Sequence, residues 1–227
     1  MASLSDQDIE QIAQKIVANI GRAPAGSKAP SPAPAPAADP GLGIHHSIDE
    51  AATASREAFR QLSALPLKTR NRMIASIRET SMENASALAR AAYDETGLGR
   101  YEDKIVKNQL VAEKTAGTEV LAPQSFTGDH GLTLIEPAPY GVIGSITPCT
   151  NPTSTIINNT IAMVAAGNSV VFNPHPAAKN CSMQTIAVLN KAIHEAGGPP
   201  NVVTCITNPT QESATEMMGH PGIRLLV

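Results

Sequence analysis

Two short polar clusters, Thr147-Pro148-Cys149-Thr150-Asn151 and Asn173-Pro174-His175-Pro176, hold the groups in this chain best suited to chemistry. In the first, Asn151 can donate an amide N–H to an oxygen on which negative charge develops. The alternative is an Asn capping the helix that begins near Thr153, a role this residue type fills readily. Thr147, Pro148, Cys149 and Thr150 are small enough for a phosphate, a ribose or a carbonyl oxygen to approach closely. In the second cluster Asn173, His175 and Pro176 offer contacts of the same kind, with Lys179 nearby. The N-terminus of the helix that follows is expected to face any anion bound there. His175 can equally be a plain turn residue between two prolines.

Cys149 stands beside Asn151, but a thiol nucleophile needs a base or a lowered pKa. No sequence neighbour supplies either, and His175 is the only histidine expected at the same edge, so Cys149 reads mainly as a small pocket-lining residue. Cys205 lies inside an apolar strand and Cys181 opens a helix; both read as structural. No His or Cys spacing suggests a metal site.

The clusters need elements to hold them. Val142, Ile143 and Ile146 form a short apolar run that stops at Thr147-Pro148, where the missing proline N–H breaks a ladder. From Thr153 to Ala166, Ile156, Ile157, Ile161, Met163, Val164 and Ala165 predict a helix buried over much of its surface. Gly167-Asn168 ends it, and Val170-Val171-Phe172 is a second buried strand. Strands joined through a helix are parallel, so both clusters fall at the carboxyl edge, where open parallel sheets bind ligands. Gly141 and Gly144 lie inside the first strand and do not make a G-x-G-x-x-G loop.

The alternation continues. Cys181 to Ala196 is predicted helix, stopped by Gly197-Gly198-Pro199-Pro200; Val202 to Ile206 is a third strand, Gln211 to Met218 a short helix, Ile223 to Val227 a fourth strand. A parallel-type strand needs cover on both faces. The chain is therefore expected to be the N-terminal portion of a longer protein. Upstream, Ser47 and Glu50 form a capping box for a helix ending before Pro66; Thr69 to Ile77, Met82 to Thr96 and Tyr101 to Ala116 read as further helices, the last with Lys and Glu on its outer face. These helices are expected to cover the sheet. Leu132 to Glu136 precedes a sharp turn at Pro137-Ala138-Pro139, and Gly128 to Gly131 reads as a loop with a solvated His130.

A length of 227 residues allows one large domain or two small ones, and a net charge of −3 gives no reason to expect a nucleic-acid partner. No apolar run approaches a membrane span, so no membrane partner is expected. With no Trp and 3% aromatic residues, the core must come from Ala, Ile, Leu and Val. Three cysteines without close pairing suit a reducing compartment.

Residues 1–20 read as an amphipathic helix: Ser5 and Asp8 form the cap, and Ile9, Ile12, Ala13, Ile16, Val17 and Ile20 share one stripe. Residues 21–43 carry six prolines among Ala, Ser and Gly, the composition of a linker. Ala29 to Pro40 in polyproline conformation would span ~35 Å at ~3.1 Å per residue. A short helix on such a tether is either a frayed terminal segment or a docking device that lays its stripe in a partner's groove.

The run ITPCTNPTSTIINNTIAMVAAGNSVVFNPHP, from Ile146 to Pro176, together with HEAGGPPNVV, resembles the CoA-acylating aldehyde dehydrogenases, in particular those for propionaldehyde and acetaldehyde housed in bacterial microcompartments. The likeness runs from Ile44 to Val227. It implies an α/β fold, aldehyde-dehydrogenase-like, with a Rossmann-type parallel sheet, a preceding helical layer and a disordered N-terminal extension. The divisions it implies are a targeting helix at 1–20, similar to encapsulation peptides, a linker at 21–43, and a partial cofactor-binding domain at 44–227. Within that domain the helical layer is 44–120 and the sheet 140–227. The chemistry it implies is NAD-dependent oxidation of a short aldehyde to its acyl-CoA through a cysteine thioester. The nucleophilic cysteine would lie in a catalytic domain beyond Val227, so this chain alone would be inactive.

Ordinary members of the wider family carry Pro-Trp-Asn-Phe-Pro and Lys-Pro-Ser-Glu at the two turns. Here the Asn is displaced by one, leaving Asn151 and Thr150 both open as the group facing the oxyanion, and the Lys and Glu are replaced, as suits a pocket admitting both NAD and coenzyme A. Implied partners are a short-chain aldehyde, both coenzymes, a shell protein met through residues 1–20, and further copies of the full-length chain, in the bacterial cytoplasm within a microcompartment. Two other readings are the aldehyde half of a bifunctional alcohol and aldehyde dehydrogenase, and a non-catalytic encapsulated scaffold module.

Overall fold

The computed structural model describes residues 38–227. The expected targeting helix at 1–20, and the linker as far as residue 37, lie outside the described residues. The folded body includes residues ahead of the expected start at Ile44. Asp39 bridges Ile44, and Asp39 Oδ1 accepts the Gly41 N–H (3.0 Å) at the head of a single 3-10 turn, Pro40–Leu42. Gly43 follows at φ +83°, where a Cβ would collide with Asn190 Nδ2 and the Val203 carbonyl, so only glycine lets the chain enter the sheet here.

Four helices come next: α1 (Ile48–Ser63), α2 (Leu67–Glu83), α3 (Ala85–Thr96) and α4 (Tyr101–Lys114). Ser47 Oγ caps α1 by accepting the Glu50 N–H (3.2 Å), but the Glu50 carboxylate reaches past Ser47 to the His46 N–H (3.0 Å), so the expected box closes one residue early. The helix expected to end at Ile77 continues to Glu83, and only Asn84 separates it from α3. Gly97 ends α3 at φ +64°, its N–H on the Tyr93 carbonyl, as its position in the sequence predicts.

The sheet has five parallel strands in the order β1-β6-β5-β4-β7: β1 (Ile44–His45), β4 (Val142–Thr147), β5 (Ser169–Pro174), β6 (Val203–Ile206) and β7 (Leu225–Leu226). Between them run α5 (Pro152–Ala165), α6 (Lys179–Glu195) and α7 (Gln211–Gly219). Strand β1 escapes a sequence reading because two residues show no alternation. A separate antiparallel hairpin, β2 (Gln124–Gly128) and β3 (Gly131–Ile135), is exposed at every residue. Its first strand carries one large apolar side chain, Phe126, too little for a period of two to register.

Alternation along β5 sorts the layers. Val170 and Phe172 face a core shared with α5 and α6, while Val171 faces a smaller core with Ile48, Ala51 and Ala52 of α1 and Met217 of α7. Of the four leading helices, α1 lies on the sheet; α2, α3 and α4 pack behind α5 and α6. The expectation that the whole helical series covers the sheet is corrected in this respect. α5 and α6 already bury that face, so the outer three helices form a further layer. Asn168 clips the sheet to α5: its Oδ1 accepts the Tyr140 and Gly141 N–H groups (2.7 and 3.1 Å) while its Nδ2 donates to the Met163 carbonyl (3.2 Å).

Candidate functional site

Thr147 of β4 is in register with Pro174 of β5, and the His175 N–H donates to the Thr147 carbonyl (3.0 Å). The two polar clusters thus sit side by side at the carboxyl rim. From β4 the chain steps through β5 to β6 in one direction, then returns to place β7 on the other side of β4. Strand order reverses at β4, and a reversal leaves an open crevice outside the carboxyl ends.

In the first cluster Pro148 and Thr150 are exposed, while Cys149 is half-buried against Ala92, Ala178 and Cys181. Thr147 is buried, and its Oγ1 has no hydrogen-bond partner among the described residues. Asn151 does stand at the head of α5, where its carbonyl accepts the Thr155 N–H (3.0 Å), yet its side chain makes no capping bond. Instead Lys107 Nζ donates to Asn151 Oδ1 (3.0 Å). An ammonium can only donate, so this bond sets the amide: oxygen to lysine, nitrogen left with one long contact (3.5 Å) to Thr150 Oγ1. Asn151 also lines an open groove of ≈ 280 Å³ between α4 and α5, with Lys107, Leu110, Val111, Thr155 and Asn158.

Lys104 and Glu95 were not legible as site residues. Lys104 was expected, with the other charges of α4, on an outer face; it is buried, and its Nζ donates to the Thr150 carbonyl (3.2 Å). Burial, helped by the charge of Lys107, holds its pKa below the ordinary lysine value, against a smaller opposing pull from Cys181 and Cys149. The buried stripe of α4 is Lys104, Asn108 and Ala112. A helix whose inward face is polar has no apolar period to detect. Asn108 spends both ends of its amide, Nδ2 on the Ala85 carbonyl (3.1 Å) and Oδ1 on Thr153 Oγ1 (2.9 Å). One helix therefore holds the backbone of the first cluster, the side chain of Asn151 and the first turn of α5.

The second cluster differs from expectation in two ways. Asn173 is drawn inward: its Oδ1 accepts from Ser213 Oγ (2.6 Å) at the head of α7, with a long contact (3.5 Å) from Nδ2 to the Thr210 carbonyl. It gives the rim position rather than a free amide. The N-terminus of α6 is already filled, since Glu95 of α3 accepts the Asn180 N–H on Oε1 (2.9 Å) and the Cys181 N–H on Oε2 (2.7 Å). That helix end is thus satisfied from within and does not await an outside anion. Replacing Glu95 by Gln, which removes the charge and leaves a single acceptor oxygen, is expected to cost about 1–2 kcal/mol in a urea titration. His175 and Pro176 are exposed, and His175 Nδ1 accepts the Ala177 N–H (3.1 Å). In the neutral ring the proton then sits on Nε2, a donor facing outward.

The model of the aldehyde dehydrogenase family matches residues 34–227, most of the chain. The chain belongs to the aldehyde dehydrogenase family. An acetylating acetaldehyde dehydrogenase of Bilophila wadsworthia is 46% identical over 222 residues, 97% of this chain and 46% of the relative. A CoA-propanoylating propanal dehydrogenase of Citrobacter freundii is 45% identical over 186 residues, 82% of this chain and 40% of the relative. The crystal structure of a Rhodopseudomonas palustris propionaldehyde dehydrogenase with bound CoA and an acylated cysteine superposes with a TM-score of 0.79 at 42% identity, covering 82% of this chain and 43% of the other. The resemblance to acylating aldehyde dehydrogenases and the expected aldehyde-dehydrogenase-like α/β fold with a parallel sheet are borne out. This aldehyde dehydrogenase chain spans less than half the length of these relatives.

Proposed function

We propose that this chain is the coenzyme-binding part of a NAD-dependent, CoA-acylating dehydrogenase for a short aldehyde such as propanal or acetaldehyde. The observation that carries the reading is the Asn151 amide. Lys107 holds its oxygen, its nitrogen is left to donate, and it borders a groove of a size for a small carbonyl compound. An N–H held in advance against the carbonyl oxygen stabilises negative charge as that oxygen is attacked. The attacking cysteine belongs to the remainder of the longer protein.

The rim fits an adenosine phosphate portion. Pro148, Thr150 and Pro176 expose small surfaces, Cys149 narrows the floor, His175 presents Nε2–H, and Thr147 lies buried beneath them with its hydroxyl unpartnered among the described residues. Asn173 keeps the second cluster in place through α7. NAD supplies the hydride acceptor and CoA the thiol that carries off the acyl group. In the same reading residues 1–20 address the enzyme to a shell protein of a bacterial microcompartment, and the full-length chain assembles with copies of itself. The Rhodopseudomonas palustris enzyme, structurally similar over most of this chain, supports the coenzyme assignment through its bound CoA.

The full-length protein, given propanal and NAD, is expected to release NADH and form propionyl-CoA only when CoA is present. NADH release that ignores CoA, or no acyl-CoA product, would end the acylating assignment. Met1 to Ile20 fused to a fluorescent protein should enter shells assembled in cells; diffuse fluorescence would remove the addressing role.

A further inference from the structure

We infer that a second site, at the amino rim of the sheet and away from both polar clusters, binds a phosphate ester. A concavity of ≈ 400 Å³ opens there beside the start of β4, within the size range of small-ligand sites. Arg56 and Arg60 line it from α1, four residues apart and so on one helix face, and Arg224 lines it from the approach to β7. None of the lining residues is acidic. The acidic groups close by are engaged elsewhere or shared: Asp49 lies 3.2 Å from His220 Nε2, and Glu57 meets Arg60 at 3.5 Å with both side chains largely in solvent. Among the described residues Arg56 and Arg224 form no ion pair.

Three guanidinium groups around one hollow repel each other unless an anion joins them, and their forked donors match the oxygens of a phosphate. The glycines bring the backbone close to the arginines: a Cβ on Gly222 would lie 2.7 Å from Arg56 Nη2, and one on Gly141 would reach ordinary contact distance from Arg224 (3.5 Å) and Phe59 (4.0 Å). Phe59 and the 66%-exposed Tyr140 line the same hollow, giving an apolar or aromatic ester group a place beside the cationic end. Phosphate on the arginines and the organic part on the rings is the arrangement these residues favour.

Calorimetric titration of the Met1–Val227 chain in low salt, with inorganic phosphate and with phenyl phosphate as probes, tests this. Both probes are expected to bind saturably, phenyl phosphate the tighter. The paired change Arg56→Gln and Arg224→Gln should weaken both by about tenfold or more. Tyr140→Ala should weaken phenyl phosphate alone. These positions are exposed, and an unchanged thermal midpoint would show that the variants stay folded. No saturable heat at millimolar probe, or the same affinity in the double arginine variant, would overturn the site; equal affinity for the two probes would overturn the ester assignment.

Discussion

Asn151→Ala in the full-length enzyme is expected to lower kcat for CoA-dependent aldehyde oxidation by about 10²–10³, the effect of losing one oxyanion donor. In the proposed role the amide would act on charge that exists only as the carbonyl is attacked, so kcat and kcat/KM should fall together while KM moves little. Lys107→Met tests the mechanism behind it. With the 3.0 Å bond to Oδ1 gone, the amide can turn over, and kcat should fall by a smaller factor in the same direction. Because the two residues act as a unit, the double variant should be little worse than Asn151→Ala alone. Steady-state rates at saturating coenzyme decide the matter: if kcat of Asn151→Ala stays near that of the parent, the donor is another group, and Thr150 is the next to test.

Phe172→Ala should be the most destabilising single change in the sheet. The chain holds three phenylalanines and no tryptophan, and Phe172 is fully buried among the aliphatic side chains of α5 and α6. It lies at the centre of the sheet, in register with Ser145 of β4 and Cys205 of β6. A cavity of that size costs about 3–5 kcal/mol, whereas Phe172→Leu should cost far less because most of the volume stays filled. Urea midpoints of the three proteins give the comparison. Pro174 is two residues further along the same strand, so the loss should also loosen the second polar cluster.

The βαβ core was legible because it is written in apolar residues: Val142 and Ile143, the isoleucines of α5, and Val170 to Phe172 leave little choice of period or direction. The relative place of the two polar clusters followed from connectivity alone. What could not be read was held by polar atoms acting across the fold. Lys104 and Asn108 occupy an inward stripe that looks like an outward one, Glu95 satisfies a helix start 85 residues away, and Asn173 turns to α7 rather than to the rim. Charge and amide groups reveal their partners only when distant segments meet, and no local pattern records that. The two-residue strand β1 and the hairpin β2–β3 failed for simpler reasons: β1, though buried, is too short to show a period, and the hairpin is exposed at every residue.

The carboxylate seated on α6 has a bearing on how coenzymes come and go. A dinucleotide whose diphosphate rests on a helix dipole is latched by an attraction that must be undone before it leaves. Here the positive pole is cancelled by Glu95, so on the proposed reading a visitor to the rim would be held by the Thr150 hydroxyl, one imidazole N–H and shape rather than by that dipole. Quick departure is an asset where one carrier has to vacate its berth so that another can dock before each cycle ends, and such a grip should slacken little as ionic strength rises.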